Sequence, residues 1–270
     1  AAAALSKGVR GLLKKNKVDY IEGEAKFVSA HEVEVAGSKK LSADNIIIAT
    51  GSRPREIPGF EIDEKDVLSS TGILSLQELP KKLVILGAGA IGMEFAYVMN
   101  AFGVEVTVVE MLDSILPLED SDVVDVVRKD FKSHGITMMT STKATALERG
   151  KKGLTVTVED KAGKSEKLQA DKLLVAVGRA PNTENLGLEN VGVTTEKGFI
   201  TVGEYYQSSV KGIYAIGDVT PSPLLAHVAS KEGEIAVEYI AGHHPESRID
   251  PDAIPSAVYC ERSEERRVGK

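Results

Sequence analysis

Residues 82–110 read KLVILGAGAIGMEFAYVMNAFGVEVTVVE, and this stretch decides the fold. Its spacing predicts an apolar strand from Leu83, the turn Gly87-Ala88-Gly89-Ala90-Ile91-Gly92, a helix, and a second strand over Val106–Val109 that ends at Glu110. The helix is read from Ile91, Phe95, Val98 and Phe102, which recur at helical spacing, with Gly103 where a C-terminal cap belongs. Each glycine of the turn has a physical reason. Gly87 lets the chain leave the strand sharply, Gly89 removes a side chain where a pyrophosphate must meet backbone, and Gly92 lets the helix lie close to the sheet. The helix N-terminus then offers N–H groups and the positive end of its dipole to the phosphates. Glu110 stands 18 residues beyond Gly92, near the spacing of about 20 at which an acid accepts hydrogen bonds from the adenosine ribose hydroxyls. That carboxylate would repel a 2′-phosphate, and Met111 and Leu112 supply no arginine to receive one, so the motif favours NAD over NADP. A glycine-rich turn without a ligand is the alternative. Strand, helix, second strand and acid falling in place together weigh against it.

The composition bounds the remaining classes. A chain of 270 residues with 42% hydrophobic content can bury a large core and divide into two units. Its net charge of −7 argues against a nucleic-acid partner. No apolar run reaches the roughly 18 residues of a membrane span, because glycines and Glu94 interrupt the longest candidate. Residues Ala1 to Gly8 lack a basic region followed by a long apolar stretch, so no secretory signal is read there. The single cysteine, Cys260, excludes an internal disulfide and any Cys-x-x-Cys site, which suggests a reducing compartment. His31, His134, His243 and His244 share no metal-ligand spacing, and no metal site is assigned.

Along the chain, one α/β unit is interrupted by another. Asp19 to Val35 alternates as short strands, and NIIIA (45–49) is a buried strand running into Thr50-Gly51-Ser52-Arg53-Pro54. Residues 81–197 hold the strand–helix–strand motif and a second helix over Ser121–His134, with Val123, Val127 and Phe131 on one face and Gly135 closing it. Leu154–Val158 alternates as an exposed hairpin would, and a buried strand follows over Leu173–Val177, ending in Gly178-Arg179-Ala180-Pro181. ATGSRP and AVGRAP are alike, as if two related nucleotide-binding units close their sheets with the same turn. Beyond Gly198, IYAIGDV (213–219) reads as a short strand delivering Asp218, with a helix over Ala226–Ile240 ended by Gly242.

GAGAIGMEFA, Glu110, ATGSRP, GRAPN, AIGDV and LLAHVASKEG together resemble the flavin disulfide reductases, the pyridine nucleotide-disulfide oxidoreductase family. The likeness is greatest to the dihydrolipoyl dehydrogenases, the E3 components of 2-oxoacid dehydrogenase complexes, and covers roughly Gly8 to Tyr259. Ser69-Ser70-Thr71-Gly72, Glu110 and Leu225-Ala226-His227 favour that subfamily, since glutathione and mercuric reductases usually carry Thr-Pro in place of Ala226-His227. The resemblance implies two Rossmann-like units, an NAD unit over 81–197 inserted in an incomplete FAD unit over 1–80 and 198–250, with 251–270 opening an interface domain and a tail foreign to the family pattern. It implies flavin-dependent oxidation of dihydrolipoamide, carried on the lipoyl domain of an E2 subunit, with reduction of NAD by a homodimeric parent enzyme. A related NADH oxidase, or a flavin reductase using another electron acceptor, would keep the same site. A bacterial source would place the enzyme in the cytoplasm and a eukaryotic one in the mitochondrial matrix.

The resemblance also distributes roles. Gly87, Gly89, Ile91 and Gly92, with Ala90 among them, would meet the NAD pyrophosphate, and Glu110 the ribose. Glu94 would lie near the nicotinamide end, its alternative being an ordinary acid at a helix start. Ala144, Ala176, Gly178 and Arg179 would line the NAD site. Asp218 would accept a hydrogen bond from the flavin ribityl chain, Ala226 would present its backbone amide to the flavin ring, Gly23 would touch the adenine side of FAD, and Thr50 and Gly51 belong to the same cofactor surface. By the same resemblance His227 would flank the flavin without serving as a base, and it is read as a helix-start residue. No catalytic residue is assigned, because the family's cysteine pair, its C-terminal His-Glu pair and its first GxGxxG do not occur in these 270 residues. The chain is therefore read as an internal fragment, a nucleotide-binding module without turnover of its own, that binds FAD weakly or not at all, with the apolar faces of NIIIA and IYAIG poorly covered.

Overall fold

The computed structural model describes residues 2–35, 39–151 and 153–260. Within these the chain forms two compact units, one from residues up to Gly51 together with Pro181–Ala253, the other from Ser52–Ala180 with the described residues from Ile254 onward. The first unit opens with helix α1 (Ala2–Lys15), an element that the sequence reading does not anticipate. Asp19–Glu24 forms no strand, contrary to the alternation read there. The strands begin at β1 (Ala25–Ser29), followed by β2 (Glu32–Val35) and β3 (Lys39–Ser42) in an antiparallel order β1-β2-β3. Strand β4 (Ile46–Ile48) lies within the NIIIA run.

In the second unit, β5 (Val67–Leu68), β6 (Lys82–Leu86), α2 (Ala90–Ala101), β7 (Glu105–Val109), α3 (Ser121–Ser133) and β8 (Thr137–Met139) precede the antiparallel strands β9 (Thr142–Gly150), β10 (Gly153–Asp160) and β11 (Ser165–Ala170), and β12 (Lys172–Val175) closes the series. Five of these strands make a parallel sheet in the order β5-β12-β6-β7-β8. The continuous apolar run of β6 follows from burial on both faces. Leu83 and Ile85 pack with Met93, Ala96 and Met99 of α2 and Phe131 of α3, whereas Val84 and Leu86 pack with Leu154, Val156 and Val158 of β10. Helices thus cover one face and the antiparallel sheet the other. Phe131 has no exposed surface, so Phe131→Ala is expected to cost this unit about 3–5 kcal/mol in a denaturant titration; a loss below 1 kcal/mol would show that the helix layer is not packed as described.

Two helical faces differ from those read in the sequence. Val98 is 40% and Phe102 66% exposed, and the residues of α2 that are buried are Gly92, Met93, Ala96 and Met99. Almost every position of AIGMEFAYVMNA is small or apolar, so periodicity alone does not select the buried face. In α3 it is Val124, not Val123, that joins Phe131 inside.

The unit boundaries also differ. Residues 52–80 group with the second unit rather than the first, because Val67 and Leu68 pair with Leu173 and Leu174 in its sheet and Phe60 enters its core. Residues 181–197 group with the first unit, since Leu188 and Val193 lie in its core and the Leu186 carbonyl accepts from the Phe27 N–H at 2.7 Å. There the chain forms β13 (Ile213–Ala215), parallel to β4, and α4 (Ala226–Ile240). Ile213 and Ala215 are completely buried and Tyr214 nearly so, which corrects the expectation of an uncovered IYAIG face; of NIIIA, Ile46 and Ile47 stay half-buried. Among the described residues no helix is long and apolar enough to cross a membrane.

Candidate cofactor sites

In the second unit the chain leaves β6 at Gly87 with φ +99°, and the Gly87 N–H donates to the Val109 carbonyl of β7 at 2.9 Å. A Cβ at this position would stand 2.4 Å from the Ala176 carbonyl oxygen, so both conformation and space require glycine. Gly92 is required for a different reason. A Cβ there would come within 2.0 Å of the Gly87 carbonyl, which shows that the first turn of α2 is packed directly against the bend and, with Ile85 behind, against the sheet. Gly89 is the N-cap of α2, has ordinary extended backbone (φ −72°, ψ −178°), and nothing lies within 4 Å of where its Cβ would be. The protein leaves that space open, with no side chain capping the helix start, as a diphosphate seat requires.

Glu110 sits at the end of β7 and faces this bend. Its Oε2 accepts the Ala88 N–H at 2.7 Å and its Oε1 accepts the Leu112 N–H at 2.8 Å. A carboxylate offers about four acceptor positions, so two backbone bonds leave capacity for a vicinal diol. The acid therefore holds the bend in shape as well as presenting charge, a role the sequence does not disclose. The Ala88 carbonyl is itself engaged by the Leu116 N–H at 2.8 Å.

The other expected residues of this unit have identifiable neighbours. Ala176 continues from β12, its N–H donating to the Leu86 carbonyl at 2.8 Å, and it lies against Gly87. Ala144 is half-buried in the cluster beneath the antiparallel sheet. Gly178 adopts φ +108° and its carbonyl accepts the Arg55 N–H. Arg179 is tied to Ser52, through Nε to the hydroxyl at 2.6 Å and through a terminal nitrogen to the carbonyl at 2.8 Å. Glu94, which lies past the first turn of α2 rather than at the helix start, accepts the Tyr259 N–H at 2.9 Å. Beside it, burial pushes the Cys260 thiol up to about 11, with the negative charges of Glu94 and Asp130 adding to the shift, so Cys260 remains a thiol at neutral pH.

The first unit holds the residues read as flavin contacts. Gly23 (φ +152°) and Thr50 line a cavity of 580 Å³ together with Phe27, Ile46, Ile48 and Leu186. Thr50 and Gly51 are fixed by Asn182: the Thr50 hydroxyl donates to its carbonyl at 2.7 Å, its side-chain amide donates to the Thr50 carbonyl at 3.0 Å, and its N–H donates to the Gly51 carbonyl at 2.9 Å. Asp218 lies in a 3-10 turn, Gly217–Val219, directly after β13, and Ala226 begins α4 with no side-chain cap. Gly217 (φ +69°) would carry a Cβ 3.1 Å from that of Ala229, which places the turn against α4.

The sequence reading missed Glu232. This residue of α4 is 1% exposed, its Oε2 accepts the Gly217 N–H at 2.5 Å, and its Oε1 has no hydrogen-bond partner. The signal was present in the sequence: Glu232 shares a helical face with Val228, Ile235 and Ala236, and an acid on an apolar stripe is buried with a partner or not at all.

A family model described as pyridine nucleotide-disulphide oxidoreductase matches residues 1–233. The chain is 43% identical over 276 residues to dihydrolipoyl dehydrogenase 1, mitochondrial, of Arabidopsis thaliana, an alignment that takes in all of this chain and 54% of that protein. It is also 43% identical over 265 residues to leghemoglobin reductase of Vigna unguiculata, with 96% of this chain and 50% of that protein covered. Among solved structures it resembles LpdA from Mycobacterium tuberculosis with a TM-score of 0.89 at 30% identity, covering 96% of this chain and 58% of that one. The chain spans about half the length of the curated relatives it matches.

Proposed function

The chain belongs to the pyridine nucleotide-disulphide oxidoreductase family, and we propose that its second unit is the NAD-binding part, and its first unit a portion of the FAD-binding part, of a dihydrolipoyl dehydrogenase. The observation that carries this reading is Glu110, bonded to the backbone of the glycine bend with acceptor capacity to spare, beside the open space at Gly89. NAD would be held by Gly87, Gly89, Ala90, Ile91 and Gly92 at the diphosphate and by Glu110 at the ribose, with Glu94, Ala144, Ala176, Gly178 and Arg179 along the remainder. FAD would meet Gly23, Thr50, Gly51, Asp218 and Ala226. When bound, the flavin supplies two-electron transfer and the nicotinamide accepts hydride. The residues of this chain bind and orient; with one cysteine they form no internal disulfide.

The parent enzyme would oxidise dihydrolipoamide presented by a lipoyl domain and act as a homodimer, in a bacterial cytoplasm or a mitochondrial matrix. A second reading keeps the nucleotide sites and changes the electron acceptor. The likeness to a protein named leghemoglobin reductase, equal in identity to that of the dehydrogenase, supports it.

Titration of the purified chain with NADH, followed by nicotinamide fluorescence, is expected to saturate with 1:1 stoichiometry. A folded sample that gives no saturable signal would refute the nucleotide assignment.

A further inference from the structure

Glu232 is a buried carboxyl group to which none of the roles above gives a purpose. Its surroundings define what it does. From the turn after β13, the Gly217 N–H points at Oε2, and Asp218 brings a like charge near. The Ser222 hydroxyl and the Arg248 guanidinium face it from the segments before and after α4, and Tyr206 approaches from a further turn of the same unit. Arg248 is itself engaged by the Val202 and Gly203 carbonyls and is exposed, so it does not close an ion pair with Glu232. An ionised carboxylate here would hold one oxygen in an apolar helix interface with no donor, beside a second carboxylate. Burial therefore favours proton binding by this acid, while its Oε2 accepts the Gly217 N–H.

From this geometry we propose that Glu232 is the positioning residue for Asp218: a buried carboxyl group that pins the Gly217–Asp218 turn to α4 through the Gly217 amide. Burial raises the Glu232 pKa, the nearby Asp218 charge adds to this, and the Ser222 hydroxyl, the Gly217 N–H and Arg248 oppose it with a smaller effect. The functional value of the pin rests on the reading of Asp218 as a flavin contact; the pin itself does not. A group bound more strongly by protons in the folded state contributes stability that is present below the unfolded glutamate value near 4.3 and is lost as pH rises through the folded value.

The test uses the 270-residue chain, 15N-labelled, with Glu232→Gln and Glu232→Ala. In the unsubstituted protein the Gly217 amide resonance is expected to titrate with a midpoint above about 4.3. The titration should vanish in Glu232→Gln, which keeps an acceptor oxygen, and the thermal midpoint of the unsubstituted protein should fall relative to that variant as pH rises through the same midpoint. Glu232→Ala should speed exchange of the Gly217 N–H about tenfold or more, while Glu232→Gln leaves it nearly unchanged. A Gly217 amide that does not titrate, or does so at or below about 4.3, overturns the burial of this acid against the turn. Unchanged Gly217 exchange in Glu232→Ala overturns the pin. The Asp218 amide separates the pin from the positioning role without depending on the flavin reading: if its exchange and chemical shift are the same in Glu232→Ala as in the unsubstituted protein while Gly217 behaves as expected, the pin stands and the positioning of Asp218 is refuted.

Discussion

Replacing Glu110 by Arg together with Met111 by Lys is expected to turn a preference for NADH into one for NADPH, with a change in the ratio of the two dissociation constants of about 100-fold or more, roughly 2.7 kcal/mol. The removed carboxylate would have accepted ribose hydroxyl bonds worth about 1.5–3 kcal/mol each, and the added charges would pair with a 2′-phosphate instead of repelling it. Met111 is 68% exposed, so lysine there disturbs no packing. The structure adds a consequence that a purely electrostatic argument omits. Arginine has no acceptor for the Ala88 and Leu112 N–H groups that Glu110 now satisfies, and the variant should also lose about 1–3 kcal/mol of stability in the second unit. Glu110→Gln, whose single amide oxygen can accept only one of the two N–H groups, should keep part of the brace while weakening NADH, and so separates the two effects in part. Calorimetric titration of each protein with each cofactor measures the ratio, and an unchanged ratio would mean that Glu110 does not meet the ribose.

Gly89→Val is expected to abolish measurable NADH binding, a loss of at least about 100-fold, while the fold persists. Nothing of the protein lies within 4 Å of the added Cβ and the backbone there is in a region open to any residue, so the side chain would enter only the space assigned to the diphosphate. The cost to the fold is confined to a poorer N-cap, about 1 kcal/mol. Gly87→Ala and Gly92→Ala make the contrasting pair, since each forces a Cβ onto a backbone carbonyl and should destabilise the unit itself. Circular dichroism with a thermal melt, beside the titration, distinguishes these outcomes. Full NADH affinity in a folded Gly89→Val protein would remove the diphosphate from this bend.

How much of this was legible without the structure varies by element. The bend, α2, α3, α4 and the buried strands were readable because glycine punctuation and runs of β-branched residues act locally. The buried side of α2 was not, because nearly all its residues are small or apolar, and the choice of Met93, Ala96 and Met99 over Val98 and Phe102 depends on where the sheet lies. The grouping of residues 52–80 with the second unit was not legible for a similar reason. Val67–Leu68 is too short to announce itself, and only pairing with Leu173–Leu174 assigns it to the second sheet.

By itself, the order of residues determined that a strand, a glycine bend, a helix and an acid-terminated strand occur in succession, because backbone sterics and hydrophobic periodicity operate over a few neighbouring residues. Tertiary packing alone decided that Glu110 braces the bend it charges, that Arg179 is held by Ser52, and that Glu232 lies buried against Gly217, because each of these bonds joins groups whose proximity arises only once sheets and helices have packed together.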